Sequence, residues 1–222
     1  MDLLFLSTVP LFQGLQPGEI EALLRCVDAR ERRCSRGEAL LRAGDVTRSL
    51  GLVLSGSVNI TVHFYWGGSH IFGRMGPGEI FAETYAALPD RELMCDAVAA
   101  EDTCALFMDM AALTGLCDSA CSFHRQVMRN LLGLFAEKNL ALSRRMMHTA
   151  SKSTRERLRS FLSEQAAVNG SPRFTIPFSR QQLADYLGVE RSALSAELSR
   201  MQKDGLIRYR RNDFTLCGEA SP

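Results

Sequence analysis

The most constraining feature of this sequence is a pair of short helical patterns, back to back, in the stretch SRQQLADYLGVERSALSAELSRM from Ser179 to Met201. The first pattern opens with a capping box, in which Ser179 accepts from the backbone N–H of Gln182 and the Gln182 side chain accepts from the N–H of Ser179. Gly188 can adopt the left-handed conformation that ends a helix, and a second pattern starts near Glu190. This order predicts a helix-turn-helix, whose second helix enters the major groove of DNA.

The polar face of the two patterns separates a DNA-binding motif from an ordinary αα-hairpin, in which a short glycine turn is also common. Donors and small side chains cluster where each helix starts, and such groups suit phosphates and base edges. The residues that we expect to contact DNA from the two helices are Ser179, Arg180, Gln181, Arg191, Ser192, Ser195 and Arg200.

The flanking segments predict the rest of a winged-helix domain. TRERLRSFLSEQAAVNG is an amphipathic pattern that ends at Gly170, and Ser153 with Glu156 predicts a second capping box at its start. RFTIPF predicts a short strand. GLIRYRRNDFTLC predicts a hairpin around Asn212 and Asp213, a wing of the kind that lies against phosphates. The wing carries Arg208, Arg210 and Arg211, of which Arg210 is our candidate phosphate contact.

The charge distribution agrees with a DNA-binding C-terminal segment. The chain has a net charge of +1, but residues 152–222 hold 12 Lys or Arg against 8 Asp or Glu, while residues 1–151 hold 14 against 17. A basic excess is the electrostatic footprint expected of a domain that binds nucleic acid. Because the excess is mild, we expect affinity to need two copies of the domain or good base contacts.

Glycine-punctuated apolar alternations fill the chain from about Arg30 to Met108. LGLVLSGSVNITVHF predicts two strands turning at Ser55-Gly56, and YWGGSHIF predicts a hairpin with a Gly-Gly turn. Several short strands at this spacing predict a small β-barrel or jelly roll. With the helices that follow, the fold class is α+β.

The longest helical pattern occupies residues 118–147 and carries two apolar stripes. One stripe can cover the barrel, and the other can pair with a second copy of the chain, because no other segment has an unused apolar stripe to meet it. A single polar residue in such a seam, here Asn139, is a known way to set register in a dimer. The alternative is a long helix buried within one chain. The predicted dimer seam consists of Met128, Leu132, Phe135, Asn139, Leu142 and Met146.

Composition places the chain among ordinary globular proteins, with 46% hydrophobic and 23% charged residues. No apolar run approaches the roughly 18 residues of a membrane span, and the N-terminal segment lacks the features of a secretory signal. Seven cysteines, an odd number, do not suggest a disulfide framework. The sequence therefore predicts a cytoplasmic protein with mostly reduced thiols and no membrane partner.

The order of these parts resembles the CRP/FNR family of bacterial transcription regulators over nearly the whole chain. The motif from Ser179 onward is the strongest part, and RGEALLRAGDVTRSLGLVLSGSVNI and MGPGEIFAE are similar to the family's cyclic-nucleotide-type sensor domain. The resemblance implies a sensor domain at 1–117, a dimerisation helix at 118–148 and a winged helix-turn-helix at 149–222. It also implies a homodimer that binds an inverted-repeat operator in double-stranded DNA, contacts RNA polymerase and responds to a small-molecule effector in the barrel.

The effector segment departs from the family pattern. Members that sense cyclic nucleotides have an Arg-Ser or Arg-Thr pair, because arginine neutralises the cyclic phosphate. Leu93 and Met94 stand where that pair belongs, and Arg91 lies two residues early. We therefore expect an effector other than cyclic AMP, and the sequence names no cofactor. The candidate effector residues are Gly78, Glu79, Glu83, Arg91, Leu93 and Met94.

Two further constellations leave an alternative open, a haem-, metal- or thiol-based redox sensor of the same architecture. Cys117, Cys121 and His124 would share one face of a helix, and thiolates with imidazole suit zinc or iron. His63 and His70 flank the Gly-Gly turn and could ligate haem. The family's oxygen-sensing branch has a cysteine cluster near its N-terminus, whereas no cysteine precedes Cys26 here.

An enzyme of the cupin type is the alternative from another class of protein. Such a barrel enzyme needs two or three histidines and a carboxylate on adjacent strands, and the sequence has no such cluster. We therefore expect no enzymatic activity and no catalytic residues.

Overall fold

The structure is a computed structural model that describes residues 2–88, 90–115 and 122–217. Its contacts divide the chain into two compact units, Met1–Phe135 and Ala136–Pro222. Cys117 and Cys121 lie outside the described residues.

The first unit opens with helices α1 (Leu3–Thr8) and α2 (Pro17–Cys26), joined through a 3-10 turn at Pro10–Phe12. Asp2 caps α1 by accepting from two backbone N–H groups at 3.0 Å. Glu19 accepts from the N–H of Gln16 at 2.9 Å, which caps the start of α2. The sequence analysis did not predict α1.

Two antiparallel sheets follow, with strand orders β1-β8-β3-β6 and β2-β7-β4-β5. This arrangement confirms the predicted N-terminal domain built from short antiparallel strands. The strands are β1 (Arg30–Cys34), β2 (Ala39–Leu41), β3 (Ser49–Ser55), β4 (Val58–His63), β5 (Ser69–Met75), β6 (Ile80–Phe81), β7 (Asp96–Ala99) and β8 (Thr103–Asp109), with short helices α3 (Glu83–Ala86) and α4 (Met110–Thr114) beside them.

Strands β3 and β4 form no hairpin, although the chain turns between them at Ser55-Gly56 as predicted. They belong to different sheets, and β4 pairs instead with β5 and β7. Gly56 has φ +76°, and a Cβ atom there would lie 2.4 Å from the carbonyl oxygen of Asp102. Only glycine fits this crossing between sheets.

The space between the sheets is filled by apolar side chains, including Val53, Phe81 and Ala105. The rings of Phe81 and Phe107 meet edge to face at 5.8 Å between centroids. The opposite face of the first sheet packs against α1 and α2 through Leu50, Leu52 and Leu106. Strands β3, β6 and β8 therefore contribute side chains to both layers.

The long helix α5 is described over Ser122–Thr149, and residues 118–121 of the sequence-based range lie outside the described residues. Val127 and Leu131 are buried in the core of the first unit, which confirms that one stripe covers that domain. Asn130 donates to the carbonyls of Leu11 and Gln13 at 3.0 and 2.8 Å, so this part of α5 is also held by polar contacts.

The second unit is built from α6 (Thr154–Asn169), β9 (Arg173–Thr175), α7 (Arg180–Leu187), α8 (Arg191–Lys203), β10 (Ile207–Arg210) and β11 (Asp213–Leu216), following the end of α5. The sheet order is β10-β11-β9. One core joins all three helices to the sheet through residues such as Phe161, Leu183, Leu198 and Phe214. This is a winged helix-turn-helix, as predicted.

Two local details differ from the sequence-based prediction. Ser153 caps α6 by accepting from the N–H of Glu156 at 3.1 Å, but the Glu156 carboxylate turns to the hydroxyl of Ser151 instead of completing a capping box. The wing turns at Arg211 and Asn212, one residue earlier than expected, with Arg211 at φ +53°.

No helix in the described ranges combines the length and apolar character needed to cross a membrane.

Candidate nucleic-acid interface and effector site

The helix-turn-helix has the local geometry that its sequence predicts. Ser179 accepts from the N–H of Gln182 at 3.3 Å, and the Gln182 side chain accepts from the N–H of Ser179 at 2.8 Å. Gly188 ends α7 in the left-handed conformation, at φ +63°. Three residues separate α7 from α8.

The outer face of α8 is polar and exposed. Arg191, Ser192 and Arg200 are exposed and Ser195 is half-buried, while Leu194 and Leu198 anchor the opposite face in the core. Such a face presents one guanidinium and two hydroxyls at the N-terminal end, where a recognition helix meets base edges. On α7, Ser179 and Gln181 are exposed, and Gln181 donates to Asp185 at 2.8 Å.

Arg180 lies at the start of α7 and packs against the wing. Its guanidinium carbon is 5.2 Å from the ring centre of Tyr209 and 5.9 Å from that of Phe214. Its Nη2 donates to the carbonyl of Arg211 at 3.1 Å, and burial lowers the pKa of Arg180. Arg180 therefore fixes the wing to α7, a role that the sequence did not predict. Arg208, Arg210 and Arg211 on the wing are exposed.

An ion-pair network beneath α8 was also missed by sequence reasoning. Glu197, 7% exposed, accepts from Arg155 of α6 at 2.5 Å and from Arg200 at 3.0 Å. Arg155 also reaches Asp204 at 2.7 Å. The sequence does contain a signal for a buried ion pair. Glu197 stands three residues after Leu194, so a charged residue occupies a position on the apolar stripe of α8. The network fixes the recognition helix to α6 and engages Arg200 within the protein.

The Glu197 network predicts a pH-dependent stability. Arg155 holds the pKa of Glu197 below its ordinary value of 4.5, so the carboxylate stabilises the fold above that value and loses its contribution as the pH falls through the lower folded-state pKa. We expect Glu197→Gln to lower Tm at pH 7 by about 5 °C. As the pH is lowered from neutral into the acid range, the Tm of the variant should also fall less than the Tm of the wild type.

Thermal unfolding followed by circular dichroism across the pH range measures both effects. Glu190→Gln is the control, because Glu190 is exposed and its side chain makes no capping hydrogen bond at the start of α8. Equal pH profiles for wild type and Glu197→Gln would contradict the assignment.

The predicted dimer seam forms an exposed stripe along α5. The exposed fractions are 69% for Leu132, 55% for Leu142 and 72% for Met146. Met128 is 39% exposed, and Asn139 is also exposed. Phe135 differs, because its half-buried ring packs against the core of the first unit. A row of exposed apolar side chains is typical of an interaction surface.

The candidate effector residues lie in the chain segment that contains the short helix α3, of which Glu83 is the first residue. Gly78 takes φ +86°, and Glu79 accepts from the N–H of Gly76 at 2.6 Å, so the Glu79 carboxylate is used within its own turn. Glu83 is 6% exposed. Ala82, the residue before α3, has φ +59°, a left-handed conformation that is uncommon for alanine and occurs more often at functional sites.

The residues at the positions of the phosphate-binding pair point in different directions. Leu93 is 5% exposed and lies in the apolar interior, whereas Met94 is 79% exposed. Arg91 is exposed. Neither Leu93 nor Met94 offers a donor to an anion.

The candidates for metal or redox chemistry are dispersed in the part of the chain that the structure describes. No three His, Cys, Asp or Glu side chains there form a cluster suited to a metal ion. His124 is buried beside Phe123, and His63 Nε2 lies 3.0 Å from Asp96 Oδ2. Burial raises the pKa of the Cys34 and Cys95 thiols, which keeps these thiols protonated and weakly reactive.

Comparison with known proteins gives two family matches. Residues 31–120 match the cyclic nucleotide-binding domain family, and residues 156–220 match the Crp-like helix-turn-helix domain family. The transcriptional regulatory protein Btr of Bordetella pertussis is 26% identical over 91% of this chain and 83% of its own length. The fumarate and nitrate reduction regulatory protein of Escherichia coli (strain K12) is 25% identical over 91% of this chain and 80% of its own.

Solved structures share the fold. CprK complexed with OCPA has a TM-score of 0.63 at 15% identity, over 88% of this chain and 91% of its own. The c-di-GMP-responsive global regulator CLP of Xanthomonas campestris has a TM-score of 0.57 at 21% identity, over 92% of this chain and all of its own, 100%.

Proposed function

Because this chain belongs to the CRP/FNR family of DNA-binding transcription regulators, we propose that it reads an inverted-repeat operator as a homodimer controlled by an effector in its sensor domain. Its function is transcription regulation rather than catalysis, so the cupin-type enzyme is set aside. The observation that carries the proposal is the polar exposed face of α8, presented beside an arginine-bearing wing. The proposed division is 1–117 for sensing, 118–148 for dimerisation and 149–222 for DNA binding.

Operator selection tests the proposed function. The full-length protein is incubated with random double-stranded DNA, and the bound sequences are amplified and sequenced. We expect a two-fold symmetric motif with half-sites about one helical turn apart, because paired recognition helices meet successive major grooves on one face of the duplex. An enriched motif without symmetry would contradict binding as a homodimer.

Contact with RNA polymerase is part of the same proposal. Transcription from a promoter that carries the selected operator, with purified polymerase, reports whether the regulator changes initiation. We expect its effect to reverse sign or vanish when the operator is moved by half a helical turn, since the regulator then faces away from the polymerase. An effect that is independent of the helical phase would contradict direct contact.

The effector is proposed to be a molecule other than cyclic AMP. The buried Leu93 and the exposed Met94 leave no arginine–hydroxyl pair to neutralise a cyclic phosphate. We expect calorimetry with cyclic AMP to give no micromolar binding and no rise in Tm. If cyclic AMP does bind in the micromolar range, the expectation is wrong. Arg91→Ala then tests whether Arg91 is the phosphate partner, with Arg42→Ala as a matched control.

A further inference from the structure

A histidine is buried at the C-terminal end of α5, where the winged-helix domain begins. His148 is 2% exposed and uses both ring nitrogens. Its Nε2 lies 3.0 Å from Oε2 of Glu164 on α6, and its Nδ1 lies 2.9 Å from the hydroxyl of Tyr186 on α7. The imidazole therefore links α5 to the two helices that carry the DNA-binding motif.

The side chains of His148, Glu164 and Tyr186 are hydrogen-bond partners of one another. A neutral imidazole with its proton on Nε2 donates to Glu164 and accepts from the Tyr186 hydroxyl. Glu164 also pairs with Arg144 at 3.2 Å, so its charge is balanced on the α5 side. Burial, followed by the charge of Glu164, raises the pKa of Tyr186. Tyr186 therefore keeps its hydroxyl proton and remains a donor to His148.

Two arginines hold the C-terminal end of α7. Arg145 of α5 donates to the carbonyls of Asp185 and Tyr186, each at 3.2 Å. Arg157 of α6 donates to the carbonyls of Leu187 and Gly188 at 2.8 and 3.0 Å. The last carbonyls of a helix have no partner within the helix and carry its negative end, so cationic donors suit them.

We propose that His148 and Arg145 are positioning residues for operator reading. Helices α7 and α8 pack as one body through a shared core, so contacts that fix α7 on α5 also fix α8. If α5 forms the dimer seam, the angle at this joint sets the separation of the two recognition helices. The inference rests on the proposed homodimer, and the joint would then set the half-site spacing that the protein accepts.

Hydrogen bonds suit this role because they depend on direction. A hydrogen bond weakens steeply as its angle departs from linearity, whereas apolar contact tolerates small rotations. Three contacts at 2.9–3.2 Å join His148 and Arg145 to the end of α7, and the contact of His148 with Glu164 at 3.0 Å holds α6. Together they favour one orientation of α6 and α7 on α5. Without them, the packing of Phe161 against Tyr186, with ring centroids 5.7 Å apart, would remain but would leave the angle looser.

Half-site spacing is the readout that separates positioning from a merely structural role. One inserted base pair moves a half-site by about 3.4 Å along the duplex and turns it by about 35°. We compare the operator selected with the wild-type protein, the same operator with one inserted base pair, and an isolated half-site. The variants are Tyr186→Phe, which removes only the hydroxyl, His148→Leu, and His148→Gln, whose amide can replace both hydrogen bonds.

The wild type should bind the lengthened operator about tenfold or more weakly than the selected one, in the range of a mismatched site. Tyr186→Phe and His148→Leu should reduce that penalty to about threefold or less while the half-site affinity stays unchanged. His148→Gln should restore most of the wild-type penalty. Tyr186→Phe retains the aromatic packing, so the test stands even if His148→Leu does not fold.

Two results would overturn the inference. One is that Tyr186→Phe and His148→Leu both lose as much affinity for the lengthened operator, relative to the selected one, as the wild type does. The other is an equal loss of affinity on all three DNAs, which marks a structural role only. Failure of the proposed function is seen separately, in the wild type, as a monomer in sedimentation or as no preference for the symmetric operator.

Discussion

A protein carrying aspartate at both Leu132 and Leu142 should sediment as a monomer at micromolar concentration. These side chains are 69% and 55% exposed on α5, and the proposed dimer covers them. The substitutions put four carboxylates into one apolar interface, and each buried unpaired charge costs several kcal/mol. We expect the dimer to weaken by at least about a thousandfold, equivalent to about 4 kcal/mol.

The choice of positions follows from the structure. Phe135 belongs to the sequence-predicted seam, but its half-buried ring also packs on the core of its own unit, so an aspartate there would mix dissociation with unfolding. Leu132 and Leu142 avoid this ambiguity because both are exposed.

Sedimentation velocity or native mass spectrometry measures the result. Gly133→Asp with Leu140→Asp is the matched control, since it adds the same number of charges to the same helix away from the stripe, and a side chain at Gly133 meets open space. A Leu132→Asp, Leu142→Asp protein that remains dimeric would place the interface elsewhere and leave the stripe on α5 without its proposed occupant.

The second large effect is expected at Arg191. Arg191 is exposed at the first position of α8, where side chains meet base edges, and a guanidinium pairs bidentately with guanine. Arg191→Ala should cost about 1–3 kcal/mol per half-site, and about twice that for the dimer, and should relax the preference at one base-pair position. Repeating the operator selection with the variant, with affinities measured at several salt concentrations, reports both changes.

The wing supplies the comparison for Arg191. Arg210 is exposed and lies where a phosphate is expected, so Arg210→Ala should weaken binding to all sequences alike and reduce the salt dependence by about one contact per monomer. Arg180 is less suitable, because its guanidinium holds the wing through Tyr209 and the Arg211 carbonyl. If Arg191→Ala keeps the wild-type sequence preference and lowers only the overall affinity, base reading belongs to Ser192 and Ser195, or to DNA shape.

The candidate interface could be predicted from sequence to the level of its helices. Helical periodicity and the leucines of the core decide which face of α7 and of α8 is exposed. The residues at the helix starts or on that outer face are Ser179, Arg191, Ser192 and Ser195. The ion pair between Glu197 and Arg155 was not predicted. Arg155 lies 42 residues from Glu197 in the chain and next to it in the folded domain.

In the sensor domain, too, some features could be predicted from local sequence and others depend on tertiary packing. The Gly-Gly hairpin between β4 and β5 follows from local turn chemistry, since Gly67 and Gly68 have φ +89° and +88°. The separation of β3 and β4 into two sheets does not, because two strands joined by a turn could pair with each other or with distant strands. The burial of Leu93 beside the exposed Met94 likewise depends on how the segment packs.

The sequence by itself determined the elements of this protein, because caps, glycine turns and apolar periodicity act between residues a few positions apart. Ser179 with Gln182, Gly188 and the spacing of the α8 leucines are interactions of this range. The tertiary structure alone decided which polar groups meet. His148 and Tyr186 lie 38 residues apart, and Arg180 and Arg211 lie 31 apart. Such pairs form only after apolar burial has brought their helices together, since a hydrogen bond in water contributes too little to select its partner over that length of chain.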